Sequence, residues 1–126
     1  MIAYREDANV DLAELARLRA ACDFAEKPSD FLRAQIDGAR WLAHAWDGAR
    51  LVGFARAISD GVSNAYVSSV MVAPELRRRG VGRELIRRLV GARKGVKFVL
   101  HTRKESAAFY AAIGFAPADD MLILRT

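Results

Sequence analysis

Val70-Met71-Val72-Ala73-Pro74-Glu75-Leu76-Arg77-Arg78-Arg79-Gly80-Val81-Gly82-Arg83-Glu84-Leu85 is the stretch on which the reading of this chain turns. It reads as a strand end, a turn and a helix start. Pro74 ends the strand because it has no amide hydrogen to offer a neighbour. Val81, Leu85, Leu89 and Val90 then fall on one stripe of a helix over Val81–Val90, with most of the arginines on its outer side. At a helix N-terminus the first backbone N–H groups have no partner, and the summed peptide dipoles place partial positive charge there. Gly80 and Gly82 let the backbone approach a ligand closely, and the arginines add bidentate donors for phosphate oxygens. The segment points to a bound phosphate. A plain strand-to-helix turn with a solvated arginine face is the alternative.

Two nucleotide motifs fail on the accompanying residues. A P-loop requires Gly-Lys followed by Ser or Thr after its glycines, and a dinucleotide fingerprint puts Gly or Ala where Leu85 stands.

Upstream, Met1 to Tyr4 is a short apolar edge strand. Asp11, with Glu14 three residues on, predicts a capped helix in which Leu12, Leu15, Ala16 and Arg19 follow helical spacing. A second helix runs from Ser29, its cap after Pro28, to a stop at Gly38, with Leu32 and Ile36 four apart. Trp41 to Trp46 and Arg50 to Ala57 are strands joined at a tight Asp47-Gly48 turn. Asp60-Gly61 turns into a third long strand, Ser63 to Ala73, with Tyr66, Ser68, Val70 and Val72 on one face. Downstream, Lys97 to Thr102 is a strand, Ser106 to Ile113 a helix stopped by Gly114, and Met121 to Leu124 a final strand. The sheet is therefore mixed, antiparallel at first and parallel around the arginine-rich helix.

The 126 residues suit one domain, residues 1–126, and contain no repeat or linker. A hydrophobic content of 52% and a charged content of 28% are those of a globular chain, outside the disordered range. No apolar run reaches the roughly 20 residues of a membrane span, and Arg5, Glu6 and Asp7 interrupt the start where a secretory signal would be apolar. A cytoplasmic address with no membrane partner is expected. Cys22 is the single cysteine, so a disulfide within the chain is excluded and a buried, inert thiol is expected. His44 and His101 are too few and too far apart to argue for a metal. The net charge of +5 is concentrated in Arg77, Arg78, Arg79, Arg83, Arg87 and Arg88, which implies a polyanionic partner.

Arg77-Arg78-Arg79-Gly80-Val81-Gly82 resembles, at every fixed position, the Arg/Gln-x-x-Gly-x-Gly/Ala signature of the GNAT superfamily of N-acetyltransferases. Ser106-Ala107-Ala108-Phe109-Tyr110-Ala111-Ala112-Ile113-Gly114-Phe115 resembles that family's last helix, with its aromatic pair and following Gly-Phe. The resemblance covers the chain well from about Trp41 onward, and the first two helices only by number and position. It implies the family's α/β fold: a mixed, largely antiparallel sheet of six to seven strands with about four helices, two parallel strands splaying apart at the cofactor site. Acetyl-coenzyme A is the implied cosubstrate, without a metal. Its pantetheine arm would pair with the backbone around Val70, Met71 and Val72 as an added strand does. Its pyrophosphate would meet Arg77, Arg78, Arg79, Gly80, Val81, Gly82 and Arg83, and Thr102, Ser106 and Phe109 would line the remaining length.

Tyr110 matches the family tyrosine that donates a proton to the departing thiolate of coenzyme A. Collapse of the tetrahedral intermediate is easier when a phenol protonates the sulfur. A core aromatic beside Phe109 is the alternative role. Glu75, after Pro74, is the candidate base, set against a solvated loop carboxylate or a water relay, while Asp60 reads as a turn former. His101 with Thr102 closes the strand beside the splay. Trp41 and Trp46 point to opposite faces of a regular strand and are read as core, with a substrate cleft as the alternative for one of them. Phe24 and Phe31, near the first two helices, are read likewise, with the family's acceptor wall as the alternative.

The function implied is acetyl transfer from acetyl-coenzyme A to a primary amine, small-molecule or peptide, by direct attack. A non-catalytic acyl-coenzyme A sensor is the alternative. Nucleic-acid binding ranks last, because one basic turn is better matched to one cofactor's phosphates and no nucleic-acid motif is present. Family enzymes are often homodimers, and no residue here fixes the number of subunits.

Overall fold

Asp11 starts the first helix as its spacing predicts: its carboxylate accepts the Glu14 amide at 3.1 Å. The computed structural model describes residues 1–126. Along the chain lie β1 (Ala3–Arg5), α1 (Leu12–Ala21), α2 (Ser29–Asp37), β2 (Trp41–Asp47), β3 (Arg50–Ser59), β4 (Asn64–Val72), α3 (Val81–Val90), β5 (Lys97–Leu100) and α4 (Ala107–Ile113), with single 3-10 turns at Pro74–Leu76 and Lys104–Ser106. The sheet order is β1-β2-β3-β4-β5, antiparallel throughout except for the parallel pair β4–β5.

The Glu14 carboxylate does not turn back to close a capping box. It accepts the Leu51 amide at 2.9 Å, and Arg17 donates to the Leu51 carbonyl at 2.7 Å, so α1 is bolted to the head of β3. Ser29 is likewise no cap. Pro28 holds the cap position with extended backbone and no side-chain hydrogen bond, and Ser29 is already helical. The β2–β3 hairpin turns one residue later than Asp-Gly predicts: Asp47 pairs with Arg50, and Gly48 supplies the positive φ of 60°.

Twenty-three buried apolar residues form one core on both faces of the sheet, with α1 and α2 on one side and α3 on the other. α3 buries Val81, Leu85, Ile86 and Leu89, a stripe widened by Ile86, while Val90 is only half-buried. Its seat depends on Gly53 in β3. A Cβ there would stand 3.0 Å from Leu85 Cδ1 and 3.1 Å from Val81 Cγ1, so the missing side chain sets how closely helix and sheet approach. Trp41 lies half-buried against Phe98, with the Arg93 guanidinium 4.2 Å above its ring.

The sequence places Tyr66, Ser68, Val70 and Val72 of β4 on one face; a bulge breaks that alternation. Arg56 pairs with Ser68 but Phe54 with Met71, so two steps on β3 face three on β4, and Ser69 takes a left-handed φ of 56°. Met71 therefore joins the face of Phe54 and Arg56, and Val72 crosses to the α3 side, beside Gly82. The strand expected at Met121–Leu124 is absent, and the sheet has five strands rather than six to seven. Strand formation needs a partner edge to take its N–H and C=O groups, and this segment lies free, with Leu122 98% exposed, while β5 forms the sheet edge.

His44 is fully buried, and its neighbours fix its tautomer. The Trp46 indole, a pure donor, gives its N–H to Nδ1 at 2.7 Å, so Nε2 carries the proton and donates to the Asp7 carbonyl at 2.8 Å. Burial lowers the His44 pKa below its ordinary 6.5. The unfolded chain then binds more protons than the native one as the pH falls through 6.5, so this part of the stability is present above that value and lost below it. Thermal melts between neutral pH and pH 5 should show the melting temperature falling with acid, and a His44→Gln variant should show a shallower fall.

Candidate active site

Gly80 is the N-cap of α3 in the left-handed region, φ 84°, and no side chain caps the helix. The first internal bond runs from the Glu84 amide to the Gly80 carbonyl at 3.1 Å, which leaves the amides of Val81, Gly82 and Arg83 facing outward. Arg78 also takes a positive φ, 65°, so the chain coils tightly before the helix. A Cβ on Gly80 would meet nothing within 4 Å; what keeps this residue glycine is its backbone.

The arginine cluster splits in two. Glu84 holds Arg87 at 2.5 Å and Arg88 at 2.7 Å, and Glu6 holds Arg88 from the other side at 3.0 Å. These contacts, Arg87 first, bring the Glu84 carboxyl down to about 2. Arg77, Arg78, Arg79 and Arg83 are exposed and have no carboxylate partner, so the unneutralised charge sits at the lip of the uncapped helix. Arg77 Nε reaches back to the Val72 carbonyl at 3.2 Å, which also receives the buried Cys22 thiol at 3.4 Å.

Beside this lip the sheet opens. β4 and β5 pair only from Asn64–Lys97 to Val67–Leu100, so Ser68 to Val72, which include Val70 and Met71, lie past the last β5 pairing. α4 closes the far side. Phe109 leans on the start of α3: a Cβ at Gly82 would be 3.0 Å from Phe109 Cζ and 3.4 Å from Val72 Cγ2. Gly82 thus serves helix–helix approach as well as any ligand. Tyr110 is wedged edge-on between Phe109 and Phe115, with ring centroids at 4.9 and 5.7 Å. Burial alone pushes its pKa above the ordinary 10, which keeps the phenol protonated.

The remaining candidates lie apart or are spoken for. Thr102 is half-buried and its hydroxyl donates to the Arg103 carbonyl at 3.1 Å, Ser106 is half-buried at the head of α4 without capping it, and His101 is exposed. Glu75 is held by Arg50 at 2.7 Å on the 3-10 turn, half-exposed, tying that turn to the head of β3. Asp60 accepts the amides of Val62 and Ser63, a turn former. No three His, Cys, Asp or Glu side chains are grouped to hold a metal, and no helix is long and apolar enough to cross a membrane.

The sequence reading missed Arg56 and Arg19, which are 9% and 6% exposed. The signal was present: Arg56 interrupts the apolar run Leu51 to Ile58, and Arg19 sits in register with Leu12 and Leu15 on the apolar side of α1. A charge inside an apolar stripe is rarely buried without a purpose.

A mixed sheet that opens between a parallel strand pair, beside an uncapped helix start lipped with arginine, defines the class as the acyl-coenzyme A N-acyltransferase fold. The chain belongs to the GNAT acetyltransferase family: the model of the "Acetyltransferase (GNAT) family" matches residues 10–115. Over 94% of its length it is 30% identical to serotonin N-acetyltransferase 2, chloroplastic, of Oryza sativa subsp. japonica, and it spans 62% of that relative. Among solved structures, a GNAT-family acetyltransferase from Streptococcus pneumoniae superposes with a TM-score of 0.79 at 23% identity, covering 99% of this chain and 98% of the other. An aminoglycoside N-acetyltransferase solved in complex with CoA superposes at 0.76 and 21% identity, covering 100% of this chain and 95% of the other.

Proposed function

We propose that this protein transfers the acetyl group of acetyl-coenzyme A to a primary amine. The observation that carries the reading is the pairing of an uncapped α3, lipped by four arginines without acid partners, with a protonated Tyr110 on the helix that packs against it. The outward amides of Val81 to Arg83 and the side chains of Arg77, Arg78, Arg79 and Arg83 would hold the pyrophosphate of the cosubstrate. The unpaired edge from Ser68 to Val72 would hold its pantetheine amides, provided that Arg77 releases the Val72 carbonyl. Once the ammonium has shed one proton to solvent, the free amine nitrogen bonds to the acetyl carbon. As the tetrahedral intermediate collapses, the carbon–sulfur bond breaks, the Tyr110 hydroxyl supplies the proton to sulfur, and the second proton leaving the nitrogen restores the phenol.

The rice relative is named for serotonin and the CoA-bound neighbour for aminoglycosides, both amines, which supports an amine acceptor. The direct test is thiol release from acetyl-coenzyme A in the presence of an amine panel, with calorimetry of coenzyme A binding alongside. Tight binding without thiol release for any amine would favour a sensor; no binding would remove the cofactor site as well. Because Glu75 is engaged by Arg50, Glu75→Gln should leave kcat near the parent value and cost at most about 1 kcal/mol of stability. A collapse of kcat with unchanged stability would restore Glu75 as the base.

A further inference from the structure

Two of the chain's arginines are buried without an acid partner. Arg56 in β3 is 9% exposed and Arg19 in α1 is 6% exposed, and no carboxylate lies within 4.0 Å of either. Their hydrogen bonds go to neutral groups only. Arg56 donates to Ser69 Oγ at 3.1 Å and to Ser68 Oγ at 3.4 Å, and Arg19 donates to the Ala25 carbonyl at 2.9 Å. Arg19 Nε is buried with no partner at all. Removing a guanidinium from water is expensive unless an opposite charge meets it; in place of one, Arg19 has only the Phe24 ring, its centroid 5.2 Å from the guanidinium carbon, and its charge adds to the cost of burying Arg56.

Arg56 is not sealed in. It lines an open cavity of about 280 Å³ whose other walls are apolar Phe31, Ala34 and Ile58, with Gln35 and Gly38. This is the low end of small-molecule sites, the size of an amino acid rather than of an oligosaccharide. Its place along the sheet is informative. Arg56 pairs with Ser68, one residue past the last β4–β5 pair at Val67, so the Arg56 end of the cavity is level with the point where the strands part, while Ile58, opposite Tyr66, stands beside the paired stretch.

We infer that the acceptor amine carries a carboxylate, bound by Arg56 in this cavity, and is of amino-acid size. The inference rests on the acetyl-transfer reading and narrows it. A fork of guanidinium N–H groups matches a carboxylate in two parallel hydrogen bonds and supplies the missing negative charge, while Phe31 and Ile58 take an apolar side chain. An amine with no acid would leave the cations as they are.

The test compares the common amino acids, each with its C-terminal amide and its decarboxylated amine, as acceptors for acetyl-coenzyme A. At least one acid should exceed both its neutral counterparts by about tenfold or more in kcat/KM, although the amide's amine is the less basic and so more often unprotonated. Arg56→Gln should abolish that preference without weakening coenzyme A binding. Amides or plain amines used as well as acids would overturn the inference and leave acetyl transfer standing, as would an acid preference that survives in Arg56→Gln. Should no amine be acetylated, the functional reading falls, and the site is read instead by melting the coenzyme A-loaded protein with the same compounds. A rise with an acid and not with its amide supports the carboxylate site, and no rise with any acid overturns it.

Discussion

Removing the Tyr110 hydroxyl is expected to lower kcat by about 100-fold or more, the usual worth of a positioned general acid. Phenylalanine keeps the ring between Phe109 and Phe115, so coenzyme A affinity and melting temperature should stay at the parent values. The expectation follows from burial. A phenol whose pKa stands above 10 holds its proton at neutral pH, and no charge or hydrogen bond within the chain contributes to that shift, so the proton is not committed elsewhere. Parent kcat should rise with pH as the acceptor ammonium loses its proton and fall again on the alkaline side, as the phenol ionises, and only the alkaline limb should vanish in Tyr110→Phe. Equal turnover at every pH would remove the tyrosine from the chemistry and leave the cofactor site untouched.

Gly80→Asp should weaken coenzyme A binding by about 100-fold, two like-charge encounters at the helix start being worth a few kcal/mol when partly screened. Gly80→Asn isolates the charge. Both residues tolerate the left-handed φ of 84° better than other side chains, so both should share a backbone cost of about 1 kcal/mol. Only the aspartate places a negative group before the outward amides of Val81 to Arg83. Calorimetry with coenzyme A should therefore separate the pair, and pantetheine, which lacks the pyrophosphate, should not. Equal affinities for the two variants would mean that the phosphates lie elsewhere.

The local parts of the fold were legible in the sequence. Pro74 closed β4, the spacing of Val81, Leu85 and Leu89 marked α3, and Asp11 marked the start of α1, because these signals act over a few residues. The candidate site's outline was legible for the same reason, as Gly80, Gly82 and Tyr110 lie in short motifs. What was not legible depends on contacts distant in the chain. The fate of Glu14 was decided by Leu51, the close approach at Gly53 by Leu85, and the outer hold on Arg88 by Glu6. Met121–Leu124 has the composition of a strand, but composition cannot provide an edge to pair with.

The extra residue at Ser69 gives β4 two different phases. Before it, Ser68 serves Arg56; after it, Val72 serves Gly82, on the opposite side of the same ribbon. Deleting Ser69 alone would remove the bulge without changing the register beyond it: Val70 would stand opposite Ala55, Met71 would stay opposite Phe54 and Val72 opposite Gly53, and only the local bend of the strand would be lost. On the acetyl-transfer reading, this one strand would address two substrates from two sides.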